Sequence, residues 1–256
     1  IKSSAASDVY KRQSYTSFRV KRGDEIKDYI FGRKYGFLGK DSSDVTLVKN
    51  SDNIVATWSV DGLTFTQTVT LANTKSALHG MASISYGVKS TDGRNADSVQ
   101  ARVMLDTALG YQDYAVYELT KKDSTYEQIQ SETVIDNSDG EAYNNALFGY
   151  DNPKAPSVTA YTVNASINNK IVAPYQIAFG HWNNLASSVF DFEPDNSLTF
   201  TNPYNEKYLT ADSAYALYFD MGSVAANGEG NTVATNYGIY SNVTVCLLYT
   251  SPSPRD

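Results

Sequence analysis

Residues 54–71 read IVATWSVDGLTFTQTVTL, and this stretch decides the fold class. Its second half alternates strictly, with Phe65, Gln67 and Leu71 on one face and threonines on the other. Alternation with a period of two and many β-branched residues is typical of a half-buried β-strand. An Asp-Gly pair lies between the two halves at 61–62, and both central positions of a type I′ turn need positive φ. The stretch therefore predicts a β-hairpin.

Short segments with the same chemistry follow along the chain. Residues 124–131 are the best helix candidate, and the irregular stretch 136–156 favours at most one helical turn, at 141–147. Thr125 and Gln128 form a weak capping box in 124–131. A dozen or more short strands with little helix predict an all-β fold, a large antiparallel β-sandwich. The predicted strands are 81–88, 99–105, 114–119, 133–135, 157–164, 175–179, 198–201 and 214–219, with a final hairpin at 224–240.

Both ends of the chain differ from the rest. Residues 3–13 read SSAASDVYKRQ and residues 246–256 read CLLYTSPSPRD, and both peptides resemble translated sequencing-adapter DNA. We therefore expect 1–13 and 246–256 to be disordered artefacts that flank a single domain at 14–245, a fragment of a larger protein. The alternative is a polar leader and a proline-terminated tail, which would also be disordered.

Composition excludes several classes of function. The chain has 256 residues, a net charge of −7 and a sequence pI near 4.9. An acidic chain without a basic run is a poor binder of nucleic acid. No stretch approaches the roughly 20 apolar residues of a membrane helix, so we expect no membrane insertion. The only cysteine, Cys246, lies in the terminal peptide, so 14–245 holds no thiol nucleophile or thiolate metal ligand.

Three runs of sequence carry a family resemblance. They are TWSVDGLTFTQTVTLAN at 57–73, ARVMLDTALGYQDYAVYEL at 101–119 and DSAYALYFDMGSVAANGEGNTVATNYGIYSN at 212–242. Together they resemble poorly characterised β-sandwich regions of large secreted or wall-attached proteins of Gram-positive gut bacteria. The resemblance implies a supersandwich like that of galactose mutarotases, an extracellular or cell-surface location, and no catalytic residue.

Aromatic side chains are the first candidates for ligand binding, since the chain has 20 tyrosines. Tyrosine rings can stack on sugars and form hydrogen bonds at modest entropic cost. Tyr111, Tyr114 and Tyr143 form the candidate patch, and strand surfaces that use tyrosine as filler are the alternative. His181 and Trp182 form a second candidate, a polar group beside a stacking platform. The alternative there is an ordinary hydrogen-bonded histidine.

A calcium ion is the only cofactor that the sequence suggests. Asp136, Asp139 and Glu141 in DNSDGE supply hard oxygen ligands close together. Their spacing does not fit the EF-hand loop. The alternative is an Asp-Gly turn in solvent, with no metal and no cofactor.

Carboxylate pairs are the candidates for acid–base chemistry. A glycosidase needs two carboxyl groups that face each other across the glycosidic bond. Asp106 and Asp113 lie around the LDTALGYQD turn, and Asp191, Glu193 and Asp195 lie in FDFEPD. Acidic residues beside turns are also common at strand ends, which is the alternative interpretation.

We therefore expect a non-catalytic structural or adhesive module of a bacterial cell-surface protein. Its partners would be a glycan or surface polymer, held on an aromatic loop face, and other domains of the same protein. The alternative is an accessory or catalytic domain of a carbohydrate-active enzyme. An enzyme predicts two carboxylates that converge in a deep pocket with one pKa raised by burial. An adhesive module predicts a shallow aromatic patch, and a spacer domain predicts neither.

Overall fold

The computed structural model describes residues 14–33, 45–72, 79–110, 113–121, 123–138, 146–201 and 211–241. Within these ranges the chain forms β-strands and one short helix, α1 (Trp182–Ser187). The strands are β1 (Tyr15–Arg22), β2 (Glu25–Ile30), β3 (Thr46–Lys49), β4 (Asn53–Val60), β5 (Leu63–Ala72), β6 (His79–Ser90), β7 (Ala96–Asp106), β8 (Val116–Thr120), β9 (Tyr126–Ile129), β10 (Thr133–Asp136), β11 (Ala146–Tyr150), β12 (Val158–Ile167), β13 (Lys170–Val172), β14 (Gln176–Gly180), β15 (Ala214–Val224) and β16 (Val233–Ser241).

The strands form two antiparallel sheets. The six-stranded sheet has the order β10-β14-β15-β7-β1-β2. The ten-stranded sheet has the order β3-β4-β5-β6-β16-β12-β11-β8-β9, with β13 paired to β12 beside this path. The predicted fold class, an all-β antiparallel sandwich with little helix, is confirmed for the described residues. The predictions for 1–13 and 246–256 fall outside those residues.

The predicted hairpin is formed by β4 and β5. Trp58 pairs with Phe65, and Val60 pairs with Leu63 next to the turn. The turn residues Asp61 and Gly62 have φ of 49° and 72°. Both values are positive, as a two-residue type I′ turn requires.

The main core lies between the two sheets and is rich in aromatic rings. Phe18 of β1 stacks on Phe65 of β5 with ring centroids 4.0 Å apart, and Trp58 lies 6.1 Å from Phe65. Tyr117 of β8 packs against Phe179 of β14 at 5.2 Å. Each of these contacts except Trp58–Phe65 joins one sheet to the other. Full burial of such a side chain contributes about 1.5–3 kcal/mol, so this core holds the sheets together.

A second, smaller core lies on the outer face of the six-stranded sheet. Side chains of β7 alternate, so that Val103 belongs to the main core and Met104 to the outer one. The outer core also contains Leu185 of α1, and Phe190 from the loop that follows the helix. No helix among the described residues is long and apolar enough to cross a membrane.

Two local predictions are wrong. Residues 124–131 form no helix and contain strand β9 (Tyr126–Ile129) instead, because the chain turns sharply just before the strand. Ser124 has φ of 66°, and the Asp123 carboxylate accepts hydrogen bonds from the Thr125 backbone N–H and hydroxyl, which starts a β8–β9 hairpin. Residues 198–201 form no strand, and Thr199 makes a single bridge to Ser131.

Candidate functional site

The end of β7 and the start of β15 lie side by side at one edge of the six-stranded sheet. Asp106 pairs with Ala214 in the ladder, and the Thr107 N–H donates to the Ser213 carbonyl at 3.2 Å. The Ser213 N–H in turn donates to the Asp113 carbonyl at 3.2 Å. This pairing gathers three chain segments that are distant in sequence.

The segments bring together three carboxylates, Asp106, Asp113 and Asp212, which we call the acidic triad. One oxygen from each lies within 4.8 Å of the others. Asp106 and Asp212 are half-buried, and Asp113 is exposed. None of the ion pairs that link described residues involves a member of the triad.

Burial and mutual repulsion raise the pKa values of two of these groups into the neutral range. Burial, followed by the charge of Asp113, raises the pKa of Asp106 to about 7. Burial, followed by the charges of Asp106 and Asp113, raises the pKa of Asp212 to about 8. Like charges at this distance cannot all ionise without cost. The Oδ1 atoms of Asp106 and Asp212 are buried, and neither has a hydrogen-bond partner within the described ranges.

A network of buried hydroxyl groups lies beside the triad. The Thr107 and Tyr117 hydroxyls share a hydrogen bond, and the Tyr117 hydroxyl donates to Ser213 Oγ at 3.1 Å. Ser213 Oγ also accepts from the Ala115 N–H at 2.8 Å. Burial raises the pKa of Tyr117, so its hydroxyl stays neutral. The network fixes the strand ends that carry the carboxylates.

Two tyrosines lie close to the triad, one next to it in sequence and one near it in space. Tyr114 directly follows Asp113 and is half-buried. Tyr237 of β16 is also half-buried, and burial together with the charge of Asp106 raises its pKa. Of the predicted aromatic patch, Tyr114 therefore lies next to the triad, whereas Tyr111 and Tyr143 lie outside the described residues.

The triad can act chemically in three ways. Its oxygens are the ligands that calcium prefers, so the triad could hold a cation. Its unpartnered buried oxygens can accept hydrogen bonds from hydroxyl groups of a ligand. Its raised pKa values suit a proton donor near neutral pH.

The predicted calcium ligands are only partly described. Asp136 is exposed at the end of β10, and its Oδ1 accepts a hydrogen bond of 2.9 Å from the Ser138 N–H. Asp139 and Glu141 lie outside the described residues. The calcium site at DNSDGE therefore stays a prediction.

His181 and Trp182 lie at the start of α1. His181 is fully buried, and its Nδ1 accepts from the Asn183 N–H at 3.2 Å, so it caps the helix. Its own N–H donates to the buried carboxylate of Glu132 at 3.2 Å. Trp182 is half-buried against the outer core. Both residues serve the packing of α1, and their role in ligand binding stays a prediction.

The FDFEPD carboxylates do not form a facing pair. Asp191 forms a two-point ion pair with Arg19, at 2.7 Å for each oxygen. Asp195 accepts from the Ser197 N–H at 3.1 Å, within its own turn. Glu193 is exposed. These three residues line an open groove of about 590 Å³ on the α1 side of the sheet.

Asp212 is the triad member that the sequence did not reveal. It precedes a predicted buried strand, just as Asp106 ends one, and antiparallel neighbours place such positions at the same edge. The sequence predicted the strands at 99–105 and 214–219 but did not indicate that they pair with each other. If that pairing had been known, Asp106, Asp113 and Asp212 would have been expected at the same sheet edge.

Comparisons with known proteins find similarity at the level of the fold only. No protein-family model and no curated protein matches the chain. The solved structure of the Slr1438 protein from Synechocystis sp. PCC 6803 is similar with a TM-score of 0.42 and 7% identity, over 77% of this chain and 66% of that one. A putative aldose 1-epimerase from Escherichia coli K12 is similar with a TM-score of 0.42 and 10% identity, over 87% and 78%. Neither structure assigns a residue role to this chain.

Proposed function

We propose that this chain is a non-catalytic glycan-binding module of a bacterial cell-surface protein, and that the acidic triad contacts the sugar. The observation that carries the proposal is the pair of buried, unpartnered carboxylate oxygens on Asp106 and Asp212. A buried acceptor without a donor is costly, and a ligand hydroxyl removes that cost.

The surroundings of the triad support a sugar over other ligands. Sugar hydroxyls donate to carboxylates, and the flanking rings of Tyr114 and Tyr237 offer amphipathic surfaces for the apolar side of a pyranose. The net charge of −7 and the triad itself repel anionic polymers. A neutral glycan is therefore the partner that fits best. The surface location rests on the sequence resemblance.

A glycan array followed by calorimetry tests this function. We expect a neutral glycan to bind the wild-type chain, and both Asp106→Asn and Asp212→Asn to weaken binding by about ten-fold, as loss of a buried hydrogen-bond acceptor would. Asp52→Asn is the matched control, since Asp52 is exposed in the turn between β3 and β4 and belongs to none of the segments that carry the triad. Unchanged affinity in both triad variants, or binding of acidic glycans only, would refute the proposal.

Acid–base catalysis is a second candidate function, and the raised pKa values favour it. Asp106 and Asp212 hold protons near neutral pH, as a general acid must, and Asp113 is exposed to solvent as a base would be. Release of p-nitrophenol from a panel of p-nitrophenyl glycosides tests it. Turnover that disappears in Asp106→Asn but persists in Asp52→Asn would replace the binding proposal by an enzyme.

A further inference from the structure

A pocket of about 370 Å³ lies between the two sheets and contains none of the triad carboxylates. Strands β1, β2 and β7 line one side, and β5 and β6 line the other. Apolar side chains form much of its wall, including Ile30, Phe31, Ile84, Val103 and Leu105. A dry cavity of about 150 Å³ already admits benzene, so this pocket has room for a larger ring system.

The polar part of the pocket is a neutral trio of Gln67, Tyr86 and Thr16. Gln67 lies on the core-facing side of β5, where its neighbours Phe65 and Val69 are apolar. Gln67 Nε2 donates to the Tyr86 hydroxyl at 2.8 Å, and that hydroxyl shares a second hydrogen bond of 2.6 Å with Thr16 Oγ1. Burial raises the pKa of Tyr86, so the trio carries no charge near neutral pH.

The amide of Gln67 keeps one acceptor for a ligand. Its Oε1 has no hydrogen-bond partner among the described residues, whereas its Nε2 is engaged by Tyr86. An acceptor at this position repels an anion and requires a ligand that brings an N–H or O–H group. Of the described residues that line the pocket, only Arg33 is charged. Ser14, also in the lining, accepts from the Asp106 N–H at 3.0 Å, which places the negative triad close by.

We propose that this pocket binds a small neutral ring system that carries one hydrogen-bond donor, and that Gln67 selects the ligand through its Oε1. The apolar walls hold the ring, and the Tyr86–Thr16 pair fixes the amide in position. The pocket lining contains none of the triad carboxylates of the proposed glycan contact, and Ser14 is the lining residue that hydrogen-bonds to the Asp106 backbone.

Indole and indene are suitable probes because they have the same shape and differ in one N–H group. NMR titration of the full chain should show both probes shifting signals of the pocket residues. We expect indole to bind about 3–10-fold more tightly, the effect of one neutral hydrogen bond. Equal affinities would overturn the role of Gln67. Tighter binding of benzoate than of indole would overturn the neutral class of ligand.

Variants of the lining separate selection from binding. Gln67→Leu should keep indene binding and abolish the preference for indole, and Tyr86→Phe should reduce the preference because the amide loses its anchor. Ile84→Trp fills the pocket and should abolish binding of both probes. Gln128→Leu, at an exposed position of β9, is the control and should change neither affinity. Indole binding that survives Ile84→Trp would overturn the pocket as the site.

Discussion

Arg102 and Asp106 of strand β7 are only four residues apart, and their environments are opposite. Arg102 is fully buried, and its guanidinium donates to the Tyr218 and Tyr15 hydroxyls at 3.0 Å each. It also donates to the carbonyls of Leu185 at 2.7 Å and Ser188 at 3.0 Å. Asp106, at the strand end, is only half-buried and leaves a buried oxygen without a donor.

The contrast separates a structural charge from a candidate functional one. The buried Arg102 is tolerated because neutral oxygens meet its N–H groups, and its partners tie the α1 segment to the sheet. The triad lacks any such set of donors within the described residues, so it must keep protons or accept a ligand. A half-satisfied polar group at a sheet edge is therefore the stronger pointer to a site.

Removal of the Arg102 guanidinium should give the largest effect on stability. Arg102→Met leaves the buried hydroxyl of Tyr218 and the carbonyl of Leu185 without the guanidinium donor, whereas the Ser188 carbonyl keeps the Tyr15 hydroxyl at 2.7 Å. We expect the free energy of unfolding to fall by about 3–5 kcal/mol, because each buried oxygen left without a donor costs about 1–3 kcal/mol and the packing of the long side chain is also lost. Urea denaturation followed by tryptophan fluorescence measures it.

The control for Arg102→Met is Lys27→Met, which removes an exposed ion pair with Glu25. An exposed pair contributes about 1 kcal/mol or less. If both variants lost the same small amount, the guanidinium would not be holding the α1 segment on the sheet.

The triad should make stability fall as the pH rises. The folded pKa values of about 7 for Asp106 and about 8 for Asp212 lie above the unfolded value of about 3.9. The folded state therefore binds more protons than the unfolded state between pH 4 and pH 8. The contribution of these two groups to the free energy of unfolding is lost as the pH rises across that range. Asp212→Asn should be nearly neutral at pH 4 and stabilising by about 1–3 kcal/mol at pH 8, after a discount for solvent screening.

Urea denaturation at pH 4 and pH 8 measures this difference between Asp212→Asn and the wild-type chain. Asp52→Asn serves as the control, because its carboxylate is exposed. A stabilisation by Asp212→Asn that was equal at both pH values would show that Asp212 does not gain its proton on folding.

Local signals in the sequence were sufficient for the parts of the fold that depend on neighbouring residues. The Asp61-Gly62 turn and the alternation in 54–71 predicted the β4–β5 hairpin, since both act within a few residues. Helix α1 was missed because its six residues are held by distant groups. Glu132 accepts from the side chain of Asn184 at 2.7 Å, and Arg102 caps the Leu185 carbonyl. No local propensity encodes such contacts.

The candidate site was predictable only in part for the same reason. Asp106 and Asp113 stand out as acids near a turn, but Asp212 joins them through a strand pairing across about a hundred residues. The raised pKa values arise from burial and mutual repulsion, which depend on the tertiary fold. The sequence can therefore suggest the residue types of this site, but not the burial and mutual repulsion that raise the pKa values of its carboxyl groups.

Asp61 is a carboxylate that does have donors, and its variant should give the smallest change in stability. It tests whether donors are what distinguish a structural charge from the triad. Asp61, in the β4–β5 turn, accepts from Arg22 at 2.7 Å, Arg94 at 2.9 Å and Tyr29 at 3.0 Å. Burial alone would raise its pKa, but the hydrogen bonds from Arg94 and Tyr29 and the charge of Arg22 together lower it. Its contribution to stability is therefore present above the unfolded pKa and lost as the pH falls below it, the reverse of the triad.

Asp61→Asn isolates this charge, since asparagine tolerates the positive φ of 49° and Asn-Gly suits the same turn. We expect a loss of about 1 kcal/mol or less at pH 8, because the site is partly solvated, and a smaller loss at pH 3. Urea denaturation of Asp61→Asn and wild type at both pH values measures it. If Asp61→Asn and Asp212→Asn changed stability with the same sign at pH 8, donor satisfaction would not be what distinguishes the two carboxylates.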